Sequence, residues 1–216
     1  MKRLYVFAIL FWACFQTGCI TKKVITDPHA PAVQQLVNLR WMDSGIRFDL
    51  RYASENNFMH QRLYPVAEPY LQRDAAAALV AVQRELATKS LGLKIYDAYR
   101  PLRVQQRMWD LIQDERYVSN PAVNAGRHTR GTAVDLTVVD RHGLELSMPT
   151  PFDDFTERAH RDAVGIPAEP ARHAKLLEDV MVRHGFVPYP FEWWHFDYRG
   201  WKRHSPLDIP LTALPK

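Results

Sequence analysis

The sequence predicts one α+β domain. A chain of 216 residues suits a single core, because a core of this size buries most of its apolar surface. Two segments, Tyr70 to Leu86 and Glu169 to His184, carry apolar residues at helical spacing, and two others, Leu93 to Ala98 and Thr132 to Val139, read as strands. Hydrophobic residues at 47% with six tryptophans favour a packed globule over disorder, while fifteen prolines predict many loops and firm helix ends.

At the amino terminus Lys2 and Arg3 precede an apolar run from Leu4 to Phe15, followed by Thr17-Gly18-Cys19, the pattern of a targeting segment. The run is too short to span a membrane comfortably. The small residues before Cys19 resemble the lipobox of bacterial lipoproteins, with Gln16 where that motif usually has Leu. The resemblance implies a signal peptide over residues 1–18, a lipid on Cys19, and export to the cell envelope or periplasmic side; simple secretion with cleavage nearby is the alternative. Cys14 and Cys19 are the two cysteines, so the mature chain has neither an internal disulfide nor a thiolate metal ligand. Removing residues 1–18 deletes only Lys2 and Arg3, taking the formal charge from +4 to +2, so membrane attachment would rest on lipid and not on a basic patch. The other basic residues are scattered among acidic ones, which argues against a nucleic-acid face. Nothing in the sequence sets an oligomeric state.

Residues 19–32 are polar, include Pro28 and Pro31, and read as a tether, leaving 33–216 for the folded domain. Leu39-Arg40-Trp41 and Arg47 to Leu50 are expected strands, and Asn56-Asn57 a turn. The alanine run 75–78 with Leu79, Val82 and Leu86 gives the helix from Tyr70 high propensity and one apolar stripe. After the Leu93 to Ala98 strand, Pro101 opens a helix where its missing N–H does no harm, expected to send Val104, Met108, Leu111 and Ile112 into the core. Residues 120–131 form a loop before the Thr132 to Val139 strand, which places Ala133, Asp135 and Thr137 on one face. Arg141-His142-Gly143 reads as a hairpin tip and Pro149 to Phe155 as an irregular loop. The second long helix ends at Gly185, and the aromatic-rich segment Phe191 to Tyr198 is strand-like.

The chemistry sits in Glu192-Trp193-Trp194-His195, taken with His128 and Asp135. Two imidazoles and a carboxylate are the ligand set of a catalytic zinc with one position open for water, and Glu192 stands beside the last ligand as a spare carboxylate. That combination points to a metal-activated hydrolase if the fold joins the two segments. The chain has no His-Glu-x-x-His, so strands and loops must hold the ion. In a regular strand Glu192 and His195 would face opposite sides; their convergence requires a bend, with Glu192 in a loop and His195 inside the strand. His195 alone reads as a core histidine, and Trp193-Trp194 alone as packing. Asp135, a carboxylate between Val134 and Leu136 on a buried strand, needs a strong partner, and a metal supplies one.

Arg100, in Asp97-Ala98-Tyr99-Arg100-Pro101, leaves two readings open: a cation aimed at an oxyanion, or a salt bridge at a strand end. Arg130 is either a support for His128 or a surface arginine. The remaining histidines are expected in loops or on exposed helix faces.

Three ordered blocks, Asp97 to Pro101, His128-Thr129-Arg130-Gly131-Thr132-Ala133-Val134-Asp135-Leu136-Thr137, and Glu192 to His195, resemble those of the VanX-type D-alanyl-D-alanine dipeptidases. The similarity runs from Tyr52 to Tyr198 and includes Pro151-Phe152-Asp153 and Glu157-Arg158-Ala159-His160. It implies an α+β fold with a mostly antiparallel central sheet, helices packed on it and a zinc site in a cleft. It further implies one zinc per chain on His128, Asp135 and His195, Glu192 as catalytic base, and Arg100 stabilising the transition state. Asp153 and Tyr52 would hold the free amino terminus of a D-Ala-D-Ala dipeptide. Gly126 stands where the family usually has serine, and Arg127 replaces a small residue. Two alternatives are a D,D- or L,D-carboxypeptidase acting on peptidoglycan stem peptides and a non-catalytic lipoprotein that binds the cell wall.

Overall fold

Residues 35–215 are described by a computed structural model. The expected leader 1–18, the acylation of Cys19 and the tether 19–32 lie outside them. Strand β1 (Leu36–Asn38) pairs antiparallel with β3 (Tyr70–Gln72) in a small two-stranded sheet. The larger sheet contains β2 (Arg47–Phe48), β4 (Leu91–Asp97), β5 (Ala133–Asp140), β6 (Phe186–Pro188) and β7 (His195–Tyr198), in the order β2-β4-β5-β7-β6. It is a mixed sheet: β2 pairs parallel with β4, and the other pairings are antiparallel. The mostly antiparallel sheet expected from the resemblance needs that correction, forced because the long excursion between β2 and β4 returns the chain in its original direction. Helices α1 (Arg73–Ala87) and α3 (Ala168–Arg183) pack on the sheet and on each other, and α2 (Leu102–Leu111) follows β4.

Strand β5 is the centre of the fold, buried from Ala133 to Val139. Covered on both faces, it reads as a continuous apolar run interrupted by Asp135 and Thr137. Each of those polar side chains therefore needs an explanation.

Its register builds the site. Asp135 lies opposite His195 on β7, and also opposite Asp97 on β4. The β4 pairing advances from Ile95–Leu136 to Asp97–Asp135, so β4 carries one extra residue there. Such a bulge turns the following side chain to the other face of the strand. Without it Tyr96 would oppose Asp135; with it Asp97, Asp135 and His195 form one row across three strands.

Three expected elements differ. Leu39–Trp41 is a 3₁₀ turn, because the Asn38 side chain accepts the Arg40 N–H at 3.0 Å and bends the chain after β1. The first long helix starts at Arg73: Tyr70–Gln72 is drawn into pairing with β1, and the Gln72 N–H is held by the Gly131 carbonyl at 2.8 Å. Tertiary pairing here overrides helical periodicity. In α2, Leu111 is 56% exposed and Gln105 is buried instead, turned inward to meet Arg100.

Candidate metal centre

His128 comes from a 3₁₀ turn (His128–Arg130) just before β5, Asp135 from β5 itself, and His195 from the first position of β7. Their facing atoms converge. His128 Nε2 is 3.2 Å from His195 Nδ1, His195 Nδ1 is 3.0 Å from Asp135 Oδ1, and His128 Nε2 is 3.3 Å from Asp135 Oδ2. His195 meets one carboxylate oxygen of Asp135 and His128 the other, and with one ligand atom taken from each residue all three lie within 4.8 Å of one another. Ligand atoms bound tetrahedrally at about 2.0–2.1 Å stand roughly 3.3 Å apart, so the three side chains converge closely enough to share one ion. The donor set therefore fits the metal that the sequence implies, and among the described residues these three form the group able to hold one.

The outer nitrogens are committed as such ligands require. His128 Nδ1 lies 2.7 Å from the Ala98 carbonyl, which can only accept, so the proton sits on Nδ1 and the Nε2 lone pair faces the site. His195 Nε2 donates to Asp197 Oδ1 at 3.0 Å, leaving Nδ1 for the metal. Burial alone would lower the His195 pKa, but hydrogen bonds to Asp135 and Asp197 outweigh it and raise it to about 10. Burial likewise works to raise the Asp135 pKa, yet the two histidines bring it far below the ordinary carboxylate range.

Glu192 lies in the turn before β7 while His195 opens the strand, so the chain bends between them as expected. Glu192 is buried, with Oε2 3.7 Å from His195 Nδ1. Burial, with the nearby charges of Asp135 and Asp153, holds its carboxyl well above the usual range against the opposing pull of His195. Trp193 and Trp194 are almost fully buried; the Trp193 indole N–H donates to Thr150 Oγ1 at 3.0 Å and its backbone N–H to the Ala159 carbonyl at 3.0 Å.

Arg100 makes the strand-end salt bridge, one of the two readings left open for it. Its Nε and Nη2 donate to Asp97 Oδ2 at 3.0 and 2.8 Å, and Nη1 donates to Gln105 Oε1 at 2.8 Å. It also lines the cleft, with Nη2 3.9 Å from Asp135 Oδ2. Asp97, fully buried, is held in turn by the Tyr64 hydroxyl at 2.7 Å. Three of the five guanidinium N–H groups are thereby fixed, and the Tyr64 hydroxyl lies beside the guanidinium as well.

Tyr52 and Asp153 meet in the same cleft, where the tyrosine hydroxyl donates to Asp153 Oδ1 at 3.0 Å. Asp153 Oδ2 is buried and makes no hydrogen bond among the described residues. Burial first, and then the charge of Asp135, pushes the Asp153 pKa up to about 8. Its backbone has φ of 61°, the left-handed region that Asp and Asn tolerate better than most. Arg130 stands apart from the ligands: it donates to the His204 carbonyl at 2.6 Å and stacks on Trp201.

Two contributors were missed in the sequence. Asp197 had a signal: two residues after His195 on a strand, it must share that histidine's side. Arg161 had none. Its side chain donates to the carbonyls of Tyr189 at 2.7 Å, Trp193 at 3.1 Å and His195 at 3.0 Å, and to Glu178 at 3.1 Å. One guanidinium thus gathers the backbone on both sides of Glu192.

The M15 peptidase family described as D-ala-D-ala dipeptidase matches residues 32–207. The D-alanyl-D-alanine dipeptidase of Escherichia coli is 37% identical over 163 residues, covering 76% of this chain and 84% of that protein. The D-alanyl-D-alanine dipeptidase of Enterococcus faecalis is 32% identical, covering 70% and 85% respectively, and that of Enterococcus faecium 30% identical, covering 77% and 93%. With a match over most of its length and relatives of the same extent, the chain belongs to the D-Ala-D-Ala dipeptidase family of M15 peptidases.

Proposed function

We propose that this chain hydrolyses free D-alanyl-D-alanine to two molecules of D-alanine, using one zinc ion held by His128, Asp135 and His195. The observation that carries the reading is the convergence of His128, Asp135 and His195 with a separate, buried carboxylate beside them. When bound, zinc supplies Lewis acidity to the scissile carbonyl and lowers the pKa of water. The protein's part is to place the other groups.

Glu192 takes the proton of the attacking water and returns it to the leaving amine. Its position in the turn before β7, buried and 3.7 Å from His195 Nδ1, places it beside the ligands without making it one of them. Arg100, pinned by Asp97 and Gln105 and therefore unable to swing, offers its remaining N–H groups to the developing oxyanion. Asp153, oriented by Tyr52, receives the substrate ammonium on its unpartnered Oδ2. Burial first, and then the charge of Asp135, disfavours the ionised carboxyl of Asp153, and an incoming ammonium opposes both by supplying a counter-charge. This end of the cleft favours a free amine, which supports a dipeptidase over an enzyme that trims acylated stem peptides.

The test compares D-alanine release from free D-Ala-D-Ala and from an N-acylated Lys-D-Ala-D-Ala peptide, with and without chelator. The proposal expects chelator-sensitive hydrolysis of the free dipeptide and little of the acylated peptide. Preference for the acylated peptide would replace it with the carboxypeptidase reading. Dialysed protein that holds no stoichiometric zinc and gains no activity when zinc is added would return it to a binding role.

A further inference from the structure

Two guanidiniums line the metal cleft, and they are used differently. Arg100 has three of its N–H groups bound inside the protein. Arg127 makes no side-chain hydrogen bond among the described residues; its buried Nε lacks a hydrogen-bond partner and lies 3.5 Å from Asp197 Oδ2. What positions it is Trp201, whose ring centre is 4.4 Å from the guanidinium carbon. Stacking occupies the face of a guanidinium and leaves the N–H groups at its edge free for bonds in its own plane. Arg130 and Lys202 stand over the same ring at 5.4 and 5.7 Å, adding positive charge to this rim. The adjacent Gly126 contributes no side chain of its own.

A free dipeptide is a zwitterion, and the cleft holds two buried charged atoms without hydrogen-bond partners: Asp153 Oδ2 and Arg127 Nε. We propose that Arg127, stacked on Trp201, binds the free carboxylate of the dipeptide, so that the cleft reads both charged ends of its substrate. The inference rests on the dipeptidase reading and assigns a specificity residue within it.

The test measures kcat and KM for D-Ala-D-Ala and for its C-terminal amide, in the wild type, Arg127→Gln and Arg127→Lys, each checked for zinc content and Tm. The wild type is expected to prefer the free acid by about 10- to 100-fold, the range for losing a hydrogen bond to a charged group. Arg127→Gln should lose most of that preference, chiefly through KM for the acid, with the amide changed much less; Arg127→Lys should retain part. If Arg127 serves only to balance Asp197, the variant will weaken both substrates alike and keep the preference, which overturns the assignment. A wild type that does not distinguish acid from amide overturns it too. A zinc-loaded wild type inactive on the free dipeptide overturns the dipeptidase reading, and this inference with it.

Discussion

The Nε2–H of His195 donates to Asp197 at 3.0 Å, two residues further along the same strand. This bond fixes the ring so that Nδ1 faces His128 and Asp135. Partners of this kind typically contribute about 10- to 100-fold to metal affinity. Asp197→Ala is therefore expected to weaken zinc binding by that factor, measured by competition with a chromophoric chelator. An unchanged affinity would remove Asp197 from the account.

Arg161 ties the carbonyls of Tyr189, Trp193 and His195 around the turn that carries Glu192. Arg161→Met would leave these acceptors and the Glu178 carboxylate without their donor. The Arg161–Glu178 pair is partly buried, and hydrogen bonds to a charged group contribute about 1.5–3 kcal/mol, so urea unfolding should show a loss of that order. Because the same segment holds His195, a proposed zinc ligand, zinc affinity should fall as well. Full zinc affinity alongside the lost stability would confine Arg161 to the fold.

Asp153→Asn keeps a residue tolerant of positive φ and removes the charge. The variant should raise KM for the free dipeptide about tenfold or more, tenfold being 1.4 kcal/mol, with kcat changed less. It should also narrow the preference for the free over the N-acylated substrate. Steady-state kinetics on both substrates check this, and an unaltered KM would contradict the role given to Asp153.

Asp74, at the start of α1, anchors the carboxy-terminal segment through Arg203 at 2.8 Å and His204 at 3.2 Å. Burial works to raise its pKa, but these hydrogen bonds prevail and lower it from 3.8 to about 2. A carboxylate with a depressed folded pKa stabilises the protein above its unfolded pKa, and that contribution disappears as pH falls through the folded value. The Tm difference between wild type and Asp74→Asn should therefore be full at neutral pH and close as pH falls from about 4 toward 2. A difference that stayed constant over that window would contradict the linkage.

Much of the site was legible because its chemistry is local in sequence. Asp135 between two apolar residues on a strand, and Glu192 three residues before His195, each declare a conflict that a metal and a bend resolve. The long helices and β5 were legible for the same reason, through periodicity and apolar runs. What escaped depends on pairing between distant segments. Tyr70–Gln72 looks helical until β1 claims it, and the β4 bulge that brings Asp97 opposite Asp135 has no mark in its own seven residues. Arg161 is one arginine among many until the carbonyls it gathers are in place. The Arg127 substitution was visible, but its significance required Trp201, which lies more than seventy residues away in the chain.

The most direct test of the central claim, that three residues hold zinc while Glu192 remains apart as the base, is a paired measurement on Glu192→Ala. Zinc content and D-alanine release would be determined on the same preparation. One zinc per chain is expected, as in the wild type, with kcat on D-Ala-D-Ala reduced by about 10²- to 10⁴-fold. A variant that binds zinc and still hydrolyses the dipeptide at the wild-type rate would contradict it.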